Sequence, residues 1–184
     1  MLPEKLFGPN KRTQSWYKFV MKRYWFLLSS ILTVFLAGCD KQALTVDMSK
    51  TVTDTNAPPV NLPAEVARAK SENKLLLLEF GSSDSCPPCV LMQQKVFSSP
   101  EFKAYEKLNL DFVHLDYPAN VELRPDTKAT NIALAKQFQV QGYPTFLGLN
   151  QDGKEIWREE GITLDQASPK VFIALLESAK EKRK

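Results

Sequence analysis

From residue 62 onward, short apolar runs alternate with amphipathic segments, which is typical of an α/β domain. Lys74 to Phe80 is an almost continuous apolar run that is too short for most helices. It indicates a central strand buried on both faces. Residues 110–117 alternate enough to predict a second strand. Residues 145–149 and 154–160 flank an Asn150–Gly153 turn, which predicts a hairpin.

Helical spacing and helix-start residues separate these strands. Pro87 and Pro100 suit the first turn of a helix, where a missing N–H is tolerated, and Ser99 is a capping residue. The predicted helices cover residues 62–73, 87–97, a segment from Pro100, residues 131–138 and a segment from Pro169. The order α-β-α-α-β-α-β-β-α requires parallel crossovers early and adds antiparallel edge strands late. We therefore expect an α/β fold, a three-layer α/β/α sandwich with a central mixed sheet.

The N-terminal region has a different pattern. Lys22 and Arg23 precede the apolar run Tyr24 to Ala37, which is shorter than the roughly 20 residues of a membrane span. A basic start, a short apolar stretch and a small-residue exit are typical of an export signal. The ending Leu36-Ala-Gly-Cys39 resembles a bacterial lipobox, which implies cleavage before Cys39 and its lipidation. An uncleaved signal anchor with an incidental cysteine is the alternative.

These patterns divide the chain into three parts. Residues 1–38 are predicted to be a lipoprotein signal peptide, whose true start could be Met21. Residues 39–61 are the lipidated cysteine and a polar, flexible tether. Residues 62–184 are the globular domain. Asp40 resembles the inner-membrane retention signal of enteric-type bacteria, so we expect the periplasmic face of the inner membrane.

The net charge of +3 is unevenly distributed along the chain. Residues 1–39 hold six basic residues and one acid, a net +5, whereas residues 40–184 hold eighteen basic and twenty acidic residues, a net −2. The basic character therefore belongs to the export segment. The globular domain carries no excess of positive charge that would indicate nucleic-acid binding.

The candidate chemistry is a pair of cysteines, Cys86-Pro-Pro-Cys89, between a predicted strand and a predicted helix. A helix start favours the thiolate of the first cysteine, and the spacing brings the second within bonding reach. Structural zinc needs two more ligands, but only Cys39 and His114 remain in the chain. A c-type haem site needs a histidine where Val90 stands. A purely structural disulfide stays open as an alternative, although so short a loop would stabilise little.

Several further motifs follow this pair in a fixed order. They read Phe80-Gly-Ser-Ser-Asp-Ser-Cys-Pro-Pro-Cys89, Val96-Phe-Ser-Ser-Pro-Glu-Phe102, Asp116-Tyr-Pro118, Gly142-Tyr-Pro-Thr-Phe146 and Asp152-Gly-Lys154. Together they resemble the thioredoxin superfamily over residues 62–181. The resemblance implies that Cys86 is the nucleophile that forms a mixed disulfide with substrate, and that Cys89 is the resolving thiol.

The resemblance also implies roles for three other residues. It places a buried carboxylate at Glu79, beside the resolving cysteine, where it would help deprotonate Cys89; a solvent-facing edge position is the alternative. It makes Pro144 a cis-proline that faces the cysteines and keeps the site free of metal. The backbone of Tyr143 would then pair with an extended substrate segment by strand addition.

Two residues fit the pattern less directly. His114 lies in the middle of a predicted strand, and we interpret it as a packing or surface residue rather than a catalytic one. Ser85 stands where the family usually has an aromatic residue before the first cysteine, so recognition of substrate by that aromatic is in doubt.

The residues between the cysteines bear on the direction of electron flow. Strong oxidants of the superfamily have a histidine there, whereas this chain has Pro87 and Pro88, which favours a reductant or an isomerase. We expect exported, cysteine-containing proteins as substrates, a membrane or periplasmic electron donor, and no cofactor beyond the Cys86–Cys89 disulfide. The alternatives are a reductant for cytochrome c or copper-site maturation, and a non-catalytic lipoprotein that binds peptides.

Overall fold

A computed structural model describes residues 54–182. The signal peptide, Cys39 and most of the tether lie outside these residues, so the predicted boundaries there stay predictions. The last residues of the tether contact the domain: Thr127 Oγ1 donates to the carbonyl of Ala57 at 2.7 Å, and Val60 packs against buried side chains. Within residues 54–182, no helix is long and apolar enough to cross a membrane.

The predicted order of helices and strands is confirmed. The helices are α1 (Leu62–Ser71), α2 (Pro87–Met92), α3 (Pro100–Asn109), α4 (Pro125–Gln137) and α5 (Pro169–Glu181). The strands are β1 (Leu75–Gly81), β2 (Leu110–Asp116), β3 (Thr145–Leu149) and β4 (Glu155–Glu160). Helix α2 continues directly into a π-helical turn, Gln93–Phe97.

Helix α4 begins earlier than predicted. The prediction started it at Asn131, but the helix begins at Pro125, which occupies the first turn. The segment between them is polar, so it lacks the apolar spacing from which helices are read. Its start signals are instead Pro125 and the acidic Asp126 in the first turn, where the helix dipole favours a negative charge.

The strands form one mixed sheet in the order β2-β1-β3-β4. Strand β1 pairs in parallel with β2 and antiparallel with β3, and β3 pairs antiparallel with β4. The mixed sheet is therefore confirmed, but the prediction that both hairpin strands lie at an edge is wrong for β3. Strand β3 is buried along its whole length and fits between β1 and β4, so only β4 lies at that edge.

Strand β1 is buried at all seven positions, as predicted, and its side chains alternate between the two faces of the sheet. Leu75 and Leu77 pack towards α2, α3 and α5, whereas Leu76, Leu78 and Phe80 pack towards α1 and α4. Helices thus cover both faces, which confirms the three-layer α/β/α sandwich.

Aromatic packing holds the cysteine-bearing helix against the sheet. Phe97, at the end of the π-helical turn, is 1% exposed. Its ring centroid lies 5.1 Å from that of Phe102, 5.8 Å from that of Phe172 and 6.1 Å from that of Phe146. These contacts pack the π-helical turn against α3, α5 and β3. Because α2 continues directly into this turn, they also hold the cysteine-bearing helix in place.

Candidate active site

Cys86 and Cys89 lie at the start of α2 and form a disulfide with an S–S distance of 2.03 Å. Cys86 is the N-cap residue, and the backbone N–H of Cys89 donates to its sulfur at 3.3 Å. Both residues are buried, Cys86 at 8% exposure and Cys89 at 4%. An N–H donor at a helix start stabilises a thiolate on Cys86 when the pair is reduced.

Two aspartates fix the loop that leads from β1 to Cys86. The carboxylate of Asp84 accepts the backbone N–H groups of Ala119 and Asn120 at 2.8 and 2.7 Å. The carboxylate of Asp116 accepts the backbone N–H of Ser83 at 2.9 Å and its hydroxyl at 2.7 Å. Burial raises the pKa of Asp84, but the donated hydrogen bonds outweigh it and hold this pKa below the usual range. The two carboxyl groups therefore join the loops that follow β1 and β2.

Ser85 is exposed at the position just before Cys86. Its hydroxyl lies 2.6 Å from that of Ser82, whose oxygen also accepts the Ser85 backbone N–H at 3.2 Å. The two serines close the loop with local hydrogen bonds. The side chain before the nucleophile is therefore small and polar, and it offers no aromatic surface.

The Tyr143–Pro144 peptide bond is cis, as the resemblance implied. Pro144 is buried, and it directly precedes β3, whose Thr145 is opposite Phe80 of β1. It therefore lies at the end of the sheet from which the loop to Cys86 departs. That Pro144 faces the cysteines remains a prediction.

An aromatic pair lies at the same end of the sheet. Tyr143 is 40% exposed, and its ring stacks on that of Tyr117 with 5.0 Å between centroids and an interplanar angle of 21°. Tyr117 belongs to the loop after β2 that Asp84 and Asp116 hold in place. This stack supplies aromatic surface that Ser85 does not.

Glu79 is 1% exposed, and this burial excludes the solvent-facing alternative. A Cβ atom added to Gly81 would lie 3.4 Å from Glu79 Oε1 and 3.5 Å from Cys89 Sγ. The carboxylate and the second sulfur thus border the same small space, which the absence of a side chain on Gly81 leaves open. The carboxylate predicted beside Cys89 is therefore near it.

His114, interpreted from the sequence as a packing or surface residue, has an exposed side chain and also contacts the buried Glu79. It lies opposite Glu79 in the parallel β1–β2 pair, and its Nδ1 is 2.7 Å from Glu79 Oε2. A protonated imidazole ring can only donate, so in that state its Nδ1–H donates this hydrogen bond to the carboxyl oxygen. Glu79 and His114 are each the fifth residue of their strand as the structure bounds it. The predicted first strand starts one residue earlier, at Lys74, so aligning the predicted starts would have set Glu79 opposite Leu115 instead.

The pair changes the proton affinity of the imidazole. Partial burial lowers the pKa of His114, but the charge of Glu79, its hydrogen bond and the charge of Asp116 raise it more. The net effect raises the pKa of His114 from 6.5 to about 9. At neutral pH the ring is therefore an imidazolium beside a buried carboxylate.

The structure thus brings Cys86, Cys89 and Glu79 together and adds His114, whereas Cys39 lies outside the described residues. In residues 54–182, no group of histidine, cysteine, aspartate and glutamate side chains could hold a metal ion. The arrangement combines a dithiol or disulfide, a helix start and a buried acid–base pair. Thiol–disulfide exchange needs a thiolate, which a helix start favours, and a nearby carboxylate can accept a proton in it.

Comparison with known protein families agrees with this geometry. The sequence model of the thioredoxin-like domain matches residues 62–180. The chain belongs to the thioredoxin-like family. The family resemblance inferred from the motifs is therefore confirmed over nearly the same range.

Two curated relatives of this thioredoxin-like chain are named for disulfide reduction or disulfide interchange. Disulfide bond reductase DsbH of Chlamydia pneumoniae is 30% identical over 90 residues, which are 49% of this chain and 54% of the relative. Thiol:disulfide interchange protein DsbD 2 of Pseudomonas aeruginosa is 32% identical over 104 residues, 55% of this chain and 16% of that one. The chain thus spans about half the length of the first relative and a small part of the second.

A solved structure supports the thioredoxin-like fold. The structure described as "DsbH Oxidoreductase" superimposes with a TM-score of 0.59 at 24% sequence identity. The match covers 68% of this chain and 85% of that one.

The Glu79–His114 pair predicts a specific pH dependence of stability. Because folding raises the pKa of His114 from 6.5 to about 9, its contribution is complete below pH 6.5 and is lost as the pH rises through about 9. We expect the free energy of unfolding of the oxidised protein, measured in urea, to fall across this window. His114→Gln should flatten this fall. Since the chain has one histidine, no other imidazole contributes, and equal slopes in both proteins would contradict the pairing.

Proposed function

We propose that this protein is a membrane-anchored thiol–disulfide oxidoreductase that reduces or isomerises disulfides in exported envelope proteins. The observation that carries the proposal is the Cys86–Cys89 disulfide at the start of α2 in a thioredoxin-like domain. A structural disulfide over three residues would add little stability, so the pair is better explained by its chemistry.

The reaction has two exchange steps. In the reduced protein, the Cys86 thiolate attacks a substrate disulfide, forms a mixed disulfide and releases one substrate sulfur as a thiolate. Cys89 then loses its proton and attacks the Cys86 sulfur. This breaks the bond to the substrate, releases the second thiolate and forms the Cys86–Cys89 disulfide. Two electrons pass to the substrate, whose thiolates take up protons, and an electron donor must then reduce the pair again.

Glu79 accepts the proton of Cys89 in the second step. Its burial and the space at Gly81 that it shares with the Cys89 sulfur support this role. Cys89 is itself 4% exposed, so bulk water has little access to its thiol. A nearby buried carboxylate is the base that the second step needs.

Tyr143 and Pro144 bind the substrate segment that carries the disulfide. An extended segment would pair with the backbone of Tyr143, as a strand added beside the active-site loops. The position of Pro144 at the end of β3 and the 40% exposure of Tyr143 support this mode. The ring of Tyr143 stacks on Tyr117 and would contact the flanking residues of the substrate.

The direction of electron flow is towards the substrate. Neither Pro87 nor Pro88 can supply an N–H or an imidazolium to the Cys86 thiolate, so the thiolate is less stabilised than in the strong oxidants of the superfamily. The C. pneumoniae relative is named a disulfide bond reductase, which supports the same direction. A reductant in an exported compartment needs a membrane or periplasmic electron donor.

The site of action is the periplasmic face of a membrane, with the inner membrane favoured by Asp40. The basic and apolar segment before Leu36-Ala-Gly-Cys39 supports export and lipidation of Cys39. Ala57 and Val60 contact the domain, so the coil is limited to residues 40–56, for which the root-mean-square reach is roughly 22 Å. Tethering would keep the domain close to the membrane and to a membrane-bound electron donor.

The exchange reaction predicts different defects for the two cysteines. With dithiothreitol as electron source, the wild type should accelerate insulin reduction, and Cys86→Ser should lower the rate to the uncatalysed background. Cys89→Ser, reduced beforehand and freed of dithiothreitol, should accumulate a mixed disulfide with insulin on Cys86, because the resolving thiol is missing. Cys39→Ser is the matched control, a cysteine outside the pair, and should keep full activity. Equal rates for Cys86→Ser and the wild type would refute the proposal.

The anchor predicts a mass that can be measured directly. Intact mass spectrometry of the membrane fraction should show the chain beginning at Cys39 with a diacylglyceryl group attached. Cys39→Ser should keep residues 1–38 and lack the lipid. A wild-type protein that begins before Cys39, or that carries no lipid there, contradicts the anchor and leaves the exchange chemistry to be judged by the insulin assay.

A further inference from the structure

The proposed role of Glu79 raises a problem of proton transport. Each time Glu79 accepts the proton of Cys89, it must release that proton before it can serve in another cycle. Its side chain is 1% exposed, so direct release to bulk water is blocked. A buried proton acceptor needs a titratable partner or an ordered path to solvent.

The imidazole of His114 connects this carboxyl group to solvent. Its Nδ1 lies 2.7 Å from Glu79 Oε2, while its side chain is 43% exposed. Strand β2 is an edge strand of the four-stranded sheet, so a side chain there can reach water while it contacts the buried centre of β1. The ring therefore contacts the buried carboxylate and water at the same time.

Few charged side chains act on the imidazole ring of His114. The carboxylates that act on the imidazole are those of Glu79 on β1 and Asp116 on β2, and Asp116 is also held by Ser83. Helix α1 packs on the other face of β2, where Arg68 bonds to Asp111. Helix α3 packs against β2 and carries the charged residues Glu101, Lys103, Glu106 and Lys107, of which Lys103 and Glu106 pair with each other at 3.0 Å. Glu79 is thus the charge in direct contact with the ring.

We propose that His114 is a proton-relay residue that carries the proton of Cys89 from Glu79 to solvent during resolution of the mixed disulfide. This inference rests on the proposed function, and specifically on Glu79 as the acceptor. It assigns to this histidine a role in the second exchange step that differs from balancing charge.

The steps balance as follows. At rest the pair is a carboxylate and an imidazolium. The thiol of Cys89 passes its proton to Glu79, and the Cys89 thiolate attacks Cys86. Neutralising Glu79 removes the main attraction that held the extra proton on His114, so the imidazolium releases a proton to water. The proton lost to water is the one on Nε2, the ring nitrogen that does not bond Glu79. The ring, whose side chain is 43% exposed, then turns over, and its unprotonated nitrogen takes the proton from Glu79, which restores the pair. One proton has moved from Cys89 to solvent.

A lysine could not act in the same way. A lysine ammonium would neutralise Glu79 equally well, but its ordinary pKa of about 10.4 is far above neutral pH. It would keep its proton after Glu79 became neutral. The ordinary pKa of an imidazole is about 6.5, so it binds the proton beside a carboxylate and releases it beside a carboxylic acid. Comparing the two cations therefore separates proton relay from charge balance.

Quenched-flow kinetics can test the relay by following the two steps separately. The reduced full chain in detergent is mixed with a disulfide-containing peptide and quenched with acid at successive times. Intact mass spectrometry then counts reduced protein, Cys86–peptide mixed disulfide and oxidised protein. The variants are His114→Gln, His114→Lys, His114→Ala and Glu79→Gln, with Cys89→Ser as the control that stops at the mixed disulfide.

The relay predicts a selective defect. At pH 7, His114→Gln and His114→Lys should form the mixed disulfide at the wild-type rate but resolve it about 10-fold or more slowly, so that it accumulates. Glu79→Gln should show the same defect. Added imidazole should accelerate resolution in His114→Ala, since the position is 43% exposed, and should have no effect on the wild type.

Other outcomes separate the claims. Full resolution in His114→Lys, or no imidazole rescue of a slow His114→Ala, would overturn the relay and leave His114 a charge-balancing or packing residue. Wild-type resolution in Glu79→Gln would overturn both the acceptor role and the relay. A Cys89→Ser protein that forms no mixed disulfide would overturn the proposed function itself.

Discussion

Strands β1 and β2 lie parallel, with Glu79 opposite His114 and Gly81 opposite Asp116. Because both strands end at the same edge of the sheet, the loop to Cys86 and the loop held by Asp116 leave side by side. Asp84 and Asp116 then bind each loop to the other. The same register brings the imidazole to the buried carboxylate. A slip of one residue would point either side chain to the opposite face and separate the pair.

A carboxylate in the centre of a buried strand is costly unless it is paired. Transfer of a charge out of water costs several kcal/mol, and a buried ion pair often stabilises a fold no more than apolar residues of the same size. The other buried positions of β1 carry leucine, phenylalanine and glycine, so an apolar residue at Glu79 would suit the core equally well. The carboxylate borders the space at Gly81 beside Cys89, so the proposed exchange chemistry gives it a role that stability does not.

Much of the fold follows from local signals in the sequence. The apolar run of β1, the turn at Asn150–Gly153 and the prolines at helix starts each specify structure over a few residues, and the structure agrees with them. Helix α4 was predicted too short because its first turns are polar and lack the apolar spacing of the remainder. The interior position of β3 and the partner of His114 depend on which strands pair. Strand pairing joins residues that are far apart in the chain. The periodicity within one segment therefore carries no information about which strands pair.

The candidate active site, like the fold, was predictable from the sequence only where local motifs specify it. Cys86, Cys89 and the cis bond before Pro144 follow from short motifs and a family resemblance. The bonds from Asp84 to Ala119 and Asn120, and the stack of Tyr117 on Tyr143, are contacts between loops with no local signature. These contacts position the nucleophile and the aromatic surface beside it. They also supply aromatic surface at the active-site end of the sheet, although Ser85 replaces the usual aromatic residue.

In the proposed function, the Cys86–Cys89 pair donates electrons to substrates. The most direct test is its reduction potential, measured by equilibration in dithiothreitol or glutathione buffers and trapping of thiols for mass analysis. Two prolines between the cysteines and a thiolate without an imidazolium partner predict a reducing potential, near the thioredoxin value of about −270 mV. A value near about −120 mV, typical of a strong oxidant, would contradict the account.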